Sequence, residues 1–147
     1  MSSVSITRCA SYELGEAYRA VRESIDLLGG METFVSRGER ILLKPNLLAG
    51  KPPETAVTTH PEVVRAVIRL VKEAGGVPVA GDSPGLGTAL KVADKCGVAS
   101  VCREEGVELI DLKTLVVAEN PNGLTFKRLE VAKEALDCDG IINIPKL

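Results

Sequence analysis

The 147-residue chain carries 18 basic and 20 acidic side chains for a formal charge of −2, with 45% hydrophobic residues, 3% aromatics and no tryptophan. With no basic block and almost no rings on which bases could stack, the footprint of a nucleic-acid binder is missing; no run approaches the ~18 apolar residues of a membrane span, and the N-terminal region lacks the continuous apolar segment of a secretion signal. What remains is a single aliphatic α/β domain over residues 1–147, expected in the cytoplasm and long enough to bury about 70% of its unfolded surface.

Ser3 to Cys9 (SVSITRC) is β-prone and predicts an opening strand. Leu14, Ala17, Tyr18, Val21, Ile25 and Leu28 then recur at helical spacing, and Gly29 and Gly30 stop that helix. Arg40 to Asn46 (RILLKPN) is a continuous apolar run closed by polar residues, the pattern of a strand buried on both faces. A loop with Gly50, Pro52 and Pro53 leads into a helix whose start reads as a capping box of Thr59 and Glu62, with Pro61 in the first turn. Val63, Val64, Val67, Ile68 and Val71 form its buried stripe, and Gly75 and Gly76 end it.

Val77 to Ala80 is the next strand, followed by helices from Thr88 to Cys96 and Ala99 to Glu105 and a strand within Val107 to Leu112. Two β-prone runs between Leu115 and Ala132 flank Asn120-Pro121-Asn122-Gly123, which predicts a β-hairpin. A short helix and a last buried-type strand in DGIINIPKL, ending at Leu147, complete the pattern. Strands alternating with helices predict an α/β fold, a mainly parallel sheet with helices on both faces, plus the hairpin near 115–130. In such sheets ligands bind beyond the carboxyl ends of the strands, which singles out Lys44 and Asn46, Asp82 and Ser83, and Asn143 and Lys146.

The four cysteines, Cys9, Cys96, Cys102 and Cys138, contain no C-x-x-C pair, so no metal or iron-sulfur site is expected from this chain alone, and Cys96 reads as a small buried hydrophobe. Gly81-Asp82-Ser83-Pro84-Gly85 matches the G-x-S-x-G elbow of hydrolases, yet the residue after the serine is a proline without the N–H that an oxyanion hole needs. Gly85-Leu86-Gly87 is a weak dinucleotide signal, since Leu90 stands where the third glycine would fall, and no G-K-[ST] occurs for a phosphate loop of the Walker type.

The reading left is a bound anion or polar metabolite. Glycines let backbone N–H groups approach a ligand, and a helix N-terminus favours negative charge. Lys44 supplies a counter-charge, Asp82 a proton acceptor or metal ligand, and the helix start at Thr58, Thr59 and His60 a second anion-favouring terminus. Lys44, Asp82 and His60 are the candidate catalytic side chains; the candidate ligand-binding set is Lys44, Asn46, Thr58, Thr59, His60, Asp82, Ser83, Gly85, Gly87 and Lys146.

ILLKPNLLAGKPPETAVTTHPEVVRAVIRLVKEAGG, then GDSPG, then IINIPKL, in this order from Arg40 onward, resembles the domain-of-unknown-function 362 family. The resemblance implies the N-terminal part of a longer protein whose relatives often carry ferredoxin-like iron-sulfur modules outside this region; it implies no residue roles. Two functions follow as expectations. The chain binds a small anionic metabolite or cofactor as part of a metabolic or redox enzyme, or it docks a C-terminal half or redox partner protein and has no site of its own.

Overall fold

The structure, a computed structural model, describes residues 2–146. Leu147 and the side chain of Leu14, both part of the sequence reading, lie outside the described residues. The elements run α1 (Leu14–Asp26), β1 (Arg40–Pro45), α2 (Pro61–Glu73), β2 (Val77–Asp82), α3 (Ala89–Lys95), α4 (Val98–Glu104), β3 (Glu108–Asp111), β4 (Leu115–Glu119), β5 (Arg128–Ala132), α5 (Lys133–Leu136) and β6 (Gly140–Ile144).

Four strands form a parallel sheet in the order β3-β2-β1-β6, and β4 and β5 form a separate antiparallel pair, the hairpin the turn residues predict. This is the α/β architecture that the alternating pattern implies. β1 is central and aliphatic, with Ile41, Leu42 and Leu43 at most 2% exposed. From β1 the chain adds β2 and β3 on one side, and β6 later joins the other. The direction of strand addition therefore reverses between β1 and β6, and the crevice beyond the carboxyl ends at such a switch point is where parallel sheets bind ligands.

Helix α2 packs on β1 and β2 through Val64, Val67, Ile68 and Val71, each fully or almost fully buried. Burying a side chain of this size contributes about 1.5–3 kcal/mol. On its other flank Arg65, whose side chain is 11% exposed, bonds Glu62, Glu104 and Glu105 and so ties α2 to α4. Tyr18 and Arg22 of α1 both reach Glu73 at the end of α2. Cys96 and Cys102 are buried within this core, and burial pushes the Cys102 thiol up to about 11.

Two expectations are corrected. Ser3 to Cys9 forms no strand. Val4 and Ile6 are more than four-fifths exposed, while the Thr7 hydroxyl donates to the Ala20 carbonyl and Ser5 bonds Ser24, so the segment is held along α1 by side chains and joins no ladder. A β-prone sequence without a neighbouring strand has nothing to pair with. The cap of α2 is His60, not Thr59: the His60 Nδ1 accepts the Glu62 N–H at 3.2 Å. The Thr59 hydroxyl is engaged elsewhere, and Glu62 turns to Arg65.

Candidate functional site

At the carboxyl end of β1 the strand stops at Pro45, and the chain turns away over the sheet. Asn46 and Thr59 close this turn with a pair of bonds, Thr59 N–H to the Asn46 carbonyl at 3.0 Å and Asn46 N–H to the Thr59 hydroxyl at 2.9 Å. The same hydroxyl donates to the Ile144 carbonyl at the end of β6, 2.7 Å away. One side chain, 2% exposed, thus joins the ends of the two strands that flank the switch point.

Asp82 ends β2 and is 5% exposed. Its Oδ1 lies 2.7 Å from the Lys44 Nζ, and its Oδ2 accepts the Leu47 N–H at 2.9 Å. A buried carboxylate is tolerated only when charge and hydrogen bonds offset its lost hydration, and here both oxygens are used. The lysine differs. Its side chain is 41% exposed, so an ammonium with three donors is held at one of them and faces outward with the rest.

Thr58 is 3% exposed, and its hydroxyl is the one buried side-chain polar atom among the described residues that has no hydrogen-bond partner. Such a group costs about 1–3 kcal/mol. Next to it His60 caps α2 and stacks on Tyr12, ring centroids 3.9 Å apart and 8° from parallel. Burial holds its pKa below the ordinary histidine value, against the opposing pull of Glu62 and Glu54. The ring is therefore neutral near pH 7 and its Nδ1 free to accept.

The glycine loop is different. Ser83, Gly85 and Gly87 are exposed, and Leu86 is 77% exposed. Thr88 caps α3 through the Lys91 N–H, and Asp111 at the end of β3 accepts the Ala89 N–H at 2.5 Å. The negative charge this helix start favours is supplied by the chain itself. Lys146 follows β6 by two residues and is half-buried.

Two bonded groups thus lie side by side along the chain at the end of β1, Lys44 with Asp82 and the Asn46 backbone with Thr59, with Thr58 and His60 adjoining in the chain, while Ser83, Gly85 and Gly87 lie on the exposed loop beyond them. Sequence reasoning missed the Leu47 N–H, the Ile144 carbonyl and the Tyr12 ring, for which no local motif gives a signal. Cavities of about 490 Å3 between α3, α4 and β3 and about 420 Å3 beside β6 lie away from these groups.

The model of the family described as "Domain of unknown function (DUF362)" matches residues 41–147. A thylakoid-associated protein of Synechocystis sp. is 42% identical over all 147 residues, and the chain spans 45% of its length. No solved structure matches the chain.

Proposed function

The chain belongs to the family described as domain of unknown function DUF362, and from that premise we propose that it binds a small anionic metabolite or cofactor at the carboxyl ends of β1, β2 and β6, within a metabolic or redox enzyme. The observation that carries this reading is the Lys44 ammonium, held by buried Asp82 at the end of β1 and open to solvent beside the switch point. Lys44, whose charge is shared with Asp82, donates to the anion through its remaining N–H groups. Asp82 acts as a positioning residue, because both of its oxygens are already engaged. The N-terminus of the 13-residue helix α2 adds a favourable dipole, and the unpartnered Thr58 hydroxyl is hydrogen-bonding capacity left unspent at that start.

A thermal-shift screen of the purified chain against inorganic phosphate, nucleotides, carboxylate metabolites and divalent metals tests the reading. A ligand at 100 times its dissociation constant stabilises the fold by about 2.7 kcal/mol. A shift produced by an anion and lost in Lys44→Ala supports the site, whereas a well-folded sample that no anion stabilises contradicts it.

A second reading, a docking unit of a redox assembly, is favoured by the β4–β5 hairpin. Its connection leaves Leu124 fully exposed and Phe126 64% exposed. The relative's name describes that protein as associated with the thylakoid. No helix among the described residues is long and apolar enough to cross a membrane. Loss of partner capture in Leu124→Ser, with anion binding intact, distinguishes it from the first.

A further inference from the structure

The two outer strands of the parallel sheet differ in how they present their free edges. β3 is four residues long and carries a carboxylate at each end, Glu108, which pairs with Arg40 across the sheet, and Asp111. Short length and charge are the usual protections of an edge against further pairing. β6 has neither. Gly140–Ile144 contains no charged residue and no proline, and among the described residues it pairs only with β1.

Its two faces both leave apolar side chains in part uncovered. Ile141 is 56% exposed on one side, although strands of parallel sheets are ordinarily covered on both faces. Ile142, which alternates to the other side, borders with Ile141 itself an apolar cavity of about 420 Å3 at the strand's edge, whose wall also includes Leu28, Met31, Phe34 and Val67. An uncharged edge, an exposed isoleucine and an apolar groove coincide on one strand. Together they match what a parallel sheet requires where its next strand is laid down.

We infer that the free edge of β6 is a docking site for a further β-strand, supplied by the portion of longer family members that this chain does not span. More than half of the Synechocystis relative lies outside the match, which leaves ample chain to contribute such a strand. The occupant is an uncharged strand with alternating aliphatic side chains, one set packing over Ile141 and the other, with its flanking chain, entering the Ile142 groove. Because the edge adjoins the switch point, the added strand also walls the crevice on its open side.

The test uses the 147-residue chain and, as a separate polypeptide, the portion of the Synechocystis relative outside the match, with that relative's own matched part as a positive control. Capture of the fragment with slowed amide exchange over Gly140–Ile144 is expected, weakened about tenfold or more by Ile141→Lys. That substitution lies at an exposed position and is expected to leave the fold intact. Absence of capture by both chains, or capture without protection of β6, or capture indifferent to Ile141→Lys, overturns the inference. So does a dimer of the chain alone that Ile141→Lys dissolves, since the occupant is then a second copy.

Discussion

The loops leaving β1 and β2 start from neighbouring strands, contain glycine and proline, and each enters a helix, yet the fold employs them in opposite ways. In the first, Leu47, Thr58 and Thr59 are buried, and the Leu47 N–H and the Thr59 hydroxyl are bonded to distant parts of the chain. In the second, Ser83, Leu86 and Gly87 face solvent, and the helix start is satisfied by Thr88 and Asp111. A glycine-rich loop before a helix is thus no binding signal when a carboxylate of the same chain already occupies the position an anion would take. At the end of β1, where the loop is poorer in glycine, it is the outward N–H groups of the Asp82-paired Lys44 that are left available.

Substitutions on the two sides should separate accordingly. Asp82→Ala leaves the Leu47 N–H and the Lys44 ammonium without their acceptor and should lower stability by about 2–3 kcal/mol in urea unfolding. A loss below 0.5 kcal/mol, within the range of a neutral surface change, would mean that this carboxylate does not hold the strand ends.

The adjacent threonines sharpen the contrast within the first loop. Thr59→Val removes the partner of both the Asn46 N–H and the Ile144 carbonyl and should cost about 2 kcal/mol. Thr58→Val removes a hydroxyl with no partner and should be neutral or stabilising by up to about 1 kcal/mol. Equal losses from the two would contradict the bonding described.

In the second loop the expected effects are smaller and conformational. Gly87 has φ +86°, so Gly87→Ala should cost about 1 kcal/mol, whereas a Cβ at Gly85 meets nothing within 4 Å and Gly85→Ala should be close to neutral. Chemical denaturation of the pair measures this directly.

The smallest effect is that of pH on His60. Its folded pKa is lowered by burial, so the unfolded chain binds more protons as pH falls through the ordinary value of about 6.5. The associated stability is present above that pH and lost on acidification through the folded pKa, where protonated Nδ1 also ceases to accept the Glu62 N–H. A shallow fall in melting temperature below pH 6.5, flattened in His60→Asn, is expected.

The sequence pattern carried the sheet, α2 and the hairpin because these follow from periodicity and turn chemistry in short windows. It failed at Ser3 to Cys9, where β propensity is real but the chain provides no adjacent strand, and at Thr59, where a local capping pattern competes with a bond to Ile144, 85 residues away. Lys44 and Asp82 were legible as strand-end residues. That they pair with each other, and that Asp111 closes α3, depends on strand order, which periodicity does not encode.

The most direct measurement is calorimetric titration of the anion that gives the strongest thermal shift into the wild-type chain, Lys44→Ala and Ser83→Ala. Saturable binding abolished in Lys44→Ala and unchanged in Ser83→Ala is the predicted result, since only the first side chain belongs to the bonded groups at the end of β1. Binding retained in Lys44→Ala, or lost instead in Ser83→Ala, would contradict a site centred on the end of β1.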